Sequence, residues 1–154
     1  MRHSPGPALL LAILMLSYSG NLASEEITSA DFNMLCENLM SHVLRHSSVK
    51  FAESSAELGS HSYAVLDEIV EIATDCPSMS IIVTGHTDNT GNEHFNRGLS
   101  QARADSVVDY LTGRGIQRAR LTARGAGSDT PIANNDSPRG RKINRRIEFE
   151  LSFP

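Results

Sequence analysis

The stretch from Gly85 to Leu111 carries a carboxylate and a guanidinium that can act together on a small charged ligand. Asp88 follows an apolar run that is typical of a buried strand, and a helix is predicted to begin soon after it. Its carboxylate then lies near the free N–H groups at the positive end of that helix. Arg103 lies within the same helix and offers a planar fork of donors. The pattern predicts a two-ended clamp in which Arg103 holds a carboxylate and Asp88 holds an ammonium.

Two further residues are predicted to lie near this clamp. Asn96 and Arg103 are seven residues apart, which places them on one face of the predicted helix, about 10 Å apart at 1.5 Å per residue. Strand alternation places Arg145 on the same face as the apolar Ile147, where a charge requires an anionic partner. The same spacing is equally compatible with an internal ion-pair network in which Asp88, Arg103 and Arg145 neutralise one another without a ligand.

Hydrophobic periodicity predicts the elements that position these residues. Helical spacing occurs in residues 25–48, in a segment that ends before Pro77, and in a long segment that runs to Gly113. Residues 125–140 are rich in Gly, Asn, Asp and Pro, and they predict a long loop with one helical turn near Ile132. The predicted strands are a short one beginning at Lys50 and Phe51, then Met79–Thr84, Leu121–Arg124 and Arg145–Leu151. The order, a helix followed by β-α-β-α-β-(loop)-β, predicts an α/β (α+β) two-layer sandwich with helices on one side of a sheet.

Charge is distributed unevenly along the chain. Residues 97–146 contain eleven Lys and Arg against four Asp, whereas residues 25–93 contain twelve carboxylates against two cations. A nucleic-acid-binding module is therefore an alternative. However, only 5% of the residues are aromatic and the arginines are scattered over several elements, which suits neither base stacking nor groove reading. We expect no nucleic-acid partner.

The trio His86, Asp88 and His94 raises a second alternative, a metal-dependent hydrolase. Their spacing does not match a recognised zinc motif, and a His-x-Asp at a strand end is more typical of loop scaffolding. No nucleophile with a paired base is recognisable near the clamp. We therefore expect a non-catalytic domain with no metal or other cofactor.

The N-terminus is typical of a secretory signal peptide. Arg2 is followed by the uncharged apolar run Ala8–Leu16, whose nine residues are fewer than the roughly 20 that span a bilayer. We predict a signal peptide over residues 1–23, cleaved after Ala23 or, as the alternative, after Gly20. The mature form is then exported and has no transmembrane segment. An uncleaved anchor or a buried helix is the competing interpretation.

The chain has two cysteines, Cys36 and Cys76. In an exported protein an even number of cysteines indicates a disulfide. A bridge that closes a loop of about 40 residues stabilises the fold by roughly 4 kcal/mol in the chain-entropy treatment. We predict this disulfide, with two buried free thiols as the alternative.

From about Val49 to Leu151 the chain resembles the C-terminal peptidoglycan-binding domain of the OmpA-like family, which occurs in porins, peptidoglycan-associated lipoproteins and flagellar stator proteins. The matching motifs occur in the family's order, and together they are highly specific. They are IVTGHTDNTG (82–91), N-x-x-LS (96–100), ARA (102–104), G-x-G (125–127) followed by Pro131, and GR with NRRIE (140–148). The resemblance implies an OmpA-like domain over residues 49–154, preceded by an N-terminal helical extension over residues 24–48.

The resemblance also implies a ligand, the diaminopimelate residue of the peptidoglycan stem peptide. In the family the Asp of HTD and the Arg of ARA hold its zwitterionic end, and these correspond to Asp88 and Arg103. Supporting contacts are implied for Thr90, Asn96 and Arg145. The implied function is non-covalent anchoring of an envelope protein or complex to the cell wall, in the periplasm or cell envelope. Other envelope proteins are candidate partners, and outer-membrane association is a candidate location.

One segment departs from the family pattern. Many members have an Asp soon after the first-strand Phe and an Asn two residues later, whereas this chain has Phe51-Ala52-Glu53-Ser54. Ser54 is the residue that would replace the missing contact by donating a hydrogen bond.

The alternative function is a structural or assembly module of an envelope complex, in which the charged cluster is an internal network that binds no ligand.

Overall fold

The computed structural model describes residues 27–46, 48–52 and 54–154. These residues form four helices, one 3-10 turn and one three-stranded sheet. The mixed α+β class and the layered arrangement predicted from the sequence are confirmed. The elements in chain order are α1 (Ser29–His46), α2 (Ser62–Asp75), β1 (Ser80–His86), α3 (Glu93–Gly113), the 3-10 turn (Arg118–Arg120), β2 (Leu121–Gly127), α4 (Pro138–Asn144) and β3 (Ile147–Ser152).

Strand β1 is the centre of the sheet. It pairs in parallel with β2 and antiparallel with β3, so the strand order is β2-β1-β3. Ile81 and Val83 are buried in the core, while Ile82 and Thr84 lie on the opposite, partly exposed face. This alternation is the period of two expected of a strand that is covered on one face. Because β1 is central, the residues that follow it emerge in the middle of one edge of the sheet.

Helix α3 packs on β1 and β2, and α2 packs against α1 and α3. Asn92 caps the start of α3 by accepting a hydrogen bond from the N–H of Phe95 at 3.2 Å. The apolar stripes of α2 and α3 lie mostly in the core, although Tyr63 is exposed and Val70 is only half-buried. These stripes bury Leu66, Ile69 and Ala73 of α2 and Ala104, Val107, Val108 and Leu111 of α3.

Helix α1 shares the core of the rest of the domain. The predicted disulfide between Cys36 and Cys76 is present, and both residues are fully buried. Met40, one turn further along α1, is also fully buried. The hydroxyl of Ser78 donates to Oδ1 of Asn33 at 3.0 Å. One covalent bond and several packed side chains therefore fix α1 to the segment that leads into β1.

The strand predicted at Lys50 and Phe51 does not join the sheet. Phe51 forms one isolated antiparallel bridge with Leu58. The N–H of Gly59 donates to the carbonyl of Lys50 at 2.8 Å, and the N–H of Lys50 donates to the hydroxyl of Ser62 at 2.7 Å. The segment therefore satisfies its backbone groups locally, and β3 is left as an edge strand of the sheet.

The loop predicted for residues 125–140 is shorter than expected at both ends. Strand β2 continues to Gly127, and α4 begins at Pro138. The Ser137 hydroxyl caps α4 by accepting a hydrogen bond from the N–H of Gly140 at 3.0 Å, and proline suits the first turn because it has no N–H to satisfy. The helical turn expected near Ile132 is wrong, since bends occur there instead.

Arg145 is not part of a strand, which corrects the prediction from alternation. It is the C-cap residue of α4, and β3 begins two residues later at Ile147. Its side chain is therefore not confined to the apolar face of the sheet and is 45% exposed. The position of Arg145 at the end of α4 therefore sets the direction of its side chain.

The signal peptide predicted over residues 1–23, with its apolar run and its cleavage site after Ala23 or Gly20, lies outside the described residues, as does Glu53. The division into 24–48 and 49–154 stays a prediction. Within the described ranges, no helix has both the length and the apolar character that crossing a bilayer demands.

Candidate functional site

The charged residues singled out by the sequence line one cavity of about 630 Å³. Its wall is formed by the segment around Phe51, the loop that follows β1, the first half of α3, and the end of α4 with the residues after it. Four separate parts of the chain therefore converge beyond the end of the central strand. The cavity is lined by all six residues predicted to bind the ligand, Ser54, Asp88, Thr90, Asn96, Arg103 and Arg145.

Asp88 lies two residues beyond β1 and is only 7% exposed. One carboxylate oxygen accepts a hydrogen bond from Nη1 of Arg145 at 2.5 Å, and the other accepts the N–H of Thr90 at 2.9 Å. Burial raises the pKa of Asp88, but the hydrogen bonds from Arg145 and Thr90 outweigh this effect and hold the pKa below its ordinary value. Asp88 is therefore an ionised, partly desolvated carboxylate at neutral pH.

Arg103 is 8% exposed, and its environment differs from that of Asp88. Its Nε donates to the carbonyl of Ser55 at 2.8 Å, and its guanidinium lies over the ring of Phe51, 5.2 Å from the ring centre. No carboxylate of the described residues lies within 4.0 Å of it. Burial lowers the pKa of Arg103, as does the positive charge of Arg145, while Asp88 opposes the shift. Arg103 remains a cation, and it lacks an ionic partner in the described part of the chain.

Asn96 positions the loop that carries Asp88. Its side-chain amide donates to the carbonyl of Asp88 at 3.3 Å and to the carbonyl of Thr90 at 3.0 Å. Asn96 is buried, whereas Thr90 is exposed at the cavity. The prediction placed both residues at the ligand, and the structure additionally gives Asn96 a role in fixing the loop between β1 and α3.

Ser54 also lines the cavity, and it belongs to the segment that departs from the family pattern. It is exposed and adopts a left-handed backbone conformation with a φ of 50°. That conformation is uncommon for a residue with a Cβ atom and is favoured in tight turns. The turn brings the Ser54 side chain to the same cavity as Arg103.

His86 connects the end of β1 to its surroundings. Its Nε2 lies 3.2 Å from Oε2 of Glu148, and its Nδ1 lies 3.1 Å from the hydroxyl of Thr130. Burial, and then the positive charge of Arg146, lower the pKa of His86, so the ring is neutral at neutral pH. These contacts connect β1 to β3 and to the loop after β2, two residues before Asp88.

The geometry does not favour a metal site at His86, Asp88 and His94. Both ring nitrogens of His86 contact protein groups, and the carboxylate of Asp88 is engaged by Arg145 and Thr90. Throughout residues 27–46, 48–52 and 54–154, no three side chains of His, Cys, Asp or Glu are grouped so that they could hold a metal ion.

Sequence reasoning missed several residues of the cavity wall. Arg141 and Lys142 lie on α4, whose first three residues fell within the predicted loop 125–140, and the Ser137-Pro138 pair was the available signal for a helix start. Thr87, beside Asp88, is buried, and its hydroxyl has no hydrogen-bond partner among the described residues. Phe95 also lines the cavity and is exposed, so an aromatic ring is present at its mouth.

The sequence pattern that defines the OmpA family matches residues 50–145. This chain belongs to the OmpA family. All six predicted ligand-binding residues fall within the matched segment, whereas α1 lies before it. The OmpA family segment therefore contains the whole set of residues that converge on the cavity.

Comparisons with individual OmpA-like proteins agree with this assignment. Peptidoglycan-binding protein ArfA of Mycobacterium tuberculosis is 38% identical over 104 residues, which are 68% of this chain and 32% of ArfA. The chain thus spans about a third of the length of that relative. The peptidoglycan-associated lipoprotein from Burkholderia pseudomallei has a TM-score of 0.67 at 26% identity, covering 71% of this chain and 93% of that one. The cell wall anchor of the T6SS from Pseudomonas aeruginosa has a TM-score of 0.63 at 27% identity, covering 77% and 96%.

Proposed function

We propose that this domain binds peptidoglycan non-covalently through the diaminopimelate of the stem peptide, and that it anchors an envelope protein or complex to the cell wall. The observation that carries the proposal is Arg103, a buried cation without a described carboxylate partner, in the same cavity as the ionised Asp88. The free end of diaminopimelate carries an ammonium and a carboxylate on one carbon. Its carboxylate suits the guanidinium fork of Arg103, and its ammonium suits Asp88.

The pairing between Asp88 and Arg145 is compatible with this mode of binding. A carboxylate can accept about four hydrogen bonds through its two oxygens. Among the described residues, Arg145 and Thr90 each donate one hydrogen bond to the carboxylate of Asp88. An ammonium can therefore join Asp88 while Arg145 stays in place. In that arrangement Arg145 keeps Asp88 ionised, and the ligand ammonium adds a second positive partner.

The relatives support binding to the cell wall. The names of ArfA, of the peptidoglycan-associated lipoprotein and of the cell wall anchor each refer to peptidoglycan or to the cell wall. We extend this property to the present chain, together with a location in the periplasm or elsewhere in the cell envelope. We also propose that the domain binds without catalysing a reaction.

The alternative function is a structural or assembly module in which the charged cluster binds no ligand. The ion pair between Asp88 and Arg145 favours this alternative, because it is already an internal contact. The charges do not balance, however, since one described carboxylate faces both Arg145 and Arg103. A self-neutralising network would place a second acid beside Arg103, and no carboxylate of the described residues lies within 4.0 Å of it.

Co-sedimentation with purified sacculi tests the proposal. Asp88→Asn and Arg103→Gln each remove one charge of the clamp, and each variant is expected to bind about 30-fold or more weakly, because breaking a desolvated charge pair costs roughly 2 to 5 kcal/mol. Arg97→Gln and Asp129→Asn are matched controls, since this exposed ion pair on the surface is not part of the cavity wall. Both controls should bind as the original protein does.

Free diaminopimelate should displace the original protein from sacculi, and thermal unfolding should show that the two clamp variants are folded. If folded Asp88→Asn and Arg103→Gln proteins sediment as well as the controls do, the clamp is wrong and the structural module is favoured. If sacculi bind the protein but diaminopimelate does not compete, another part of the cell wall is the ligand.

A further inference from the structure

The described wall of the cavity carries more positive than negative charge. Its described wall holds six cationic side chains and one carboxylate, Asp88. Arg145 is paired with Asp88, and Arg146 is paired with Glu148, which lies outside this wall. The remaining cations have no carboxylate of a described residue within 4.0 Å, and they are Lys50, Arg103, Arg141 and Lys142.

Two of these four cations, Arg141 and Lys142, are neighbours on α4. One end of diaminopimelate brings one negative and one positive charge. These charges pair with Arg103 and Asp88, and the positive charges of Arg141 and Lys142 on α4 stay without an anionic partner from the ligand. Like charges that line a partly enclosed cavity repel one another, and an anion placed between them relieves that repulsion. A second anionic group of the ligand, placed beside Arg141 and Lys142, would relieve that repulsion.

The α4 cations are held on a well-fixed support. The buried side chain of Asn144 accepts the N–H groups of Ile132 and Ala133 at 2.9 and 3.0 Å and donates to the carbonyl of Ala133 at 2.8 Å. A Cβ atom at Gly140 would lie 1.8 Å from the carbonyl oxygen of Asn134, so α4 and this loop are in backbone contact. A ligand therefore meets a helix whose position is already set, which reduces the entropy lost on binding.

The two cations have different local partners. Nη1 of Arg141 donates to the carbonyl of Asn135 at 2.8 Å, which orients the guanidinium and leaves its other donors for a ligand. Lys142 is exposed, and no hydrogen bond or ion pair joins its ammonium to another described residue. Arg141 is thus a directed donor, and Lys142 adds an exposed positive charge to the cavity wall.

We infer that Arg141 and Lys142 form a second carboxylate subsite, so the preferred ligand is a stem peptide that has another free carboxylate in addition to the one that Arg103 holds. The inference rests on the proposed function of the domain. In a stem peptide this carboxylate has two sources. One is the α-carboxylate of the γ-linked D-glutamate that precedes diaminopimelate, and the other is the C-terminal carboxylate of a stem trimmed directly after diaminopimelate. Amidation removes the charge of either group.

Calorimetry with four synthetic ligands distinguishes the sources. They are free diaminopimelate, the tripeptide L-Ala-γ-D-Glu-diaminopimelate, the same tripeptide with D-isoglutamine, and the same tripeptide amidated at its C-terminal carboxylate. One of the two amidations should weaken binding to the original protein by about tenfold, the size expected for a hydrogen-bonded charge pair. The amidation that does so identifies the carboxylate that α4 recognises.

The variants Lys142→Gln and Arg141→Gln with Lys142→Gln show whether the preference comes from α4. In the double variant the affinities for the charged and the amidated tripeptide should differ by less than about twofold. Lys142→Gln alone should reduce the preference and carries little risk to folding, because this side chain is exposed. Arg139→Gln is the matched control on the same helix, since Arg139 does not line the cavity, and it should keep the full preference.

The inference is overturned if the original protein binds all three tripeptides equally well, or if the preference survives in the double variant. In both cases binding of free diaminopimelate would show that the proposed function still holds. If none of the four ligands binds, the proposed function fails, and the second subsite fails with it.

Discussion

The guanidinium of Arg103 lies near two opposite charges, Asp88 and Arg145, yet no carboxylate of the described chain lies close enough to pair with it. Removing a cation from water costs several kcal/mol unless a partner replaces the lost hydration. A ligand carboxylate would supply that replacement. The driving force for binding then includes relief of this cost, in addition to simple attraction between charges.

The pH dependence of binding follows from Asp88. Hydrogen bonds from Arg145 and Thr90 hold its pKa below the ordinary value of 3.8 despite burial. Asp88 therefore stays ionised, and able to hold an ammonium, until the pH falls through that lowered pKa. We predict that the affinity for diaminopimelate, measured by calorimetry, stays nearly constant from about pH 8 to about pH 5 and falls only below about pH 4.

Circular dichroism at each pH should confirm that the protein remains folded. The Asp88→Asn variant is the control, because it should bind weakly at every pH and show no acid transition. A midpoint of lost binding above about pH 5 would contradict the assignment of Asp88 as the ammonium-binding group.

At the residue scale, motif order, helix spacing and the family resemblance predicted which six side chains converge on the cavity, but they left open whether Asp88, Arg103 and Arg145 pair with one another or with a ligand. Asp88 and Arg145 are far apart in the chain, and Arg145 was assigned to a strand. Their contact depends on where α4 ends, which the sequence pattern did not reveal. The pairing of Arg103 with Ser55 depends likewise on a turn in the segment after Phe51.

At the element scale, α3 lies so close to the sheet that two glycines are required. A Cβ atom at Gly85 of β1 would lie 2.2 Å from the carbonyl oxygen of Ser100, and one at Gly125 of β2 would lie 2.5 Å from the backbone N of Gln101. Both obstacles are backbone atoms, so rotation of a side chain cannot relieve them. The close approach places the first half of α3, with Asn96, against the loop of Asp88.

We predict that Gly85→Ala lowers the free energy of unfolding in urea by about 1 to 3 kcal/mol or more, because α3 must move away from β1. Gly98→Ala is the control within α3, since an added methyl group there would meet no atom within 4 Å and alanine favours a helix by roughly 0.5 to 1 kcal/mol. Equal stability of Gly85→Ala and the original protein would show that the close approach is not rigid.

The elements that the sequence predicted well are long or strongly patterned. Helices α2 and α3 and strand β1 repeat their apolar spacing often enough to be recognised. Helix α4 has seven residues, fewer than the two full turns over which a stripe becomes visible, and only its cap marked it. The segment at Lys50 has strand-like residues, but its backbone groups bond to the turn that follows.

At the scale of the whole molecule, the disulfide and the cavity lie at opposite ends of β1. Cys76 precedes the first residue of β1, and Asp88 follows its last, so about 20 Å of strand separates them at 3.3 Å per residue. We predict that the double variant Cys36→Ser with Cys76→Ser loses roughly 4 kcal/mol of unfolding free energy, because the 40-residue separation is no longer closed.

Urea denaturation of the variant and of the original protein measures this loss, and calorimetry should give a similar affinity for diaminopimelate in both. A large loss of affinity in a variant that is still folded would show that α1 positions the cavity. An unchanged urea midpoint would mean that core packing, including Met40, holds α1 without the covalent bond.

The disulfide also decides how a pulling force would pass through the domain. Suppose that the start of α1 is attached to an envelope protein and that Asp88 holds a ligand in the cell wall. A pulling force would then pass along α1, cross the disulfide from Cys36 to Cys76 and continue into β1. Residues 37–75, which include α2, lie outside this path and would carry no part of the force. Strand β1, which would carry the force, lies between β2 and β3. A pull along its axis would therefore load the hydrogen bonds to both neighbouring strands at the same time, instead of breaking them one after another.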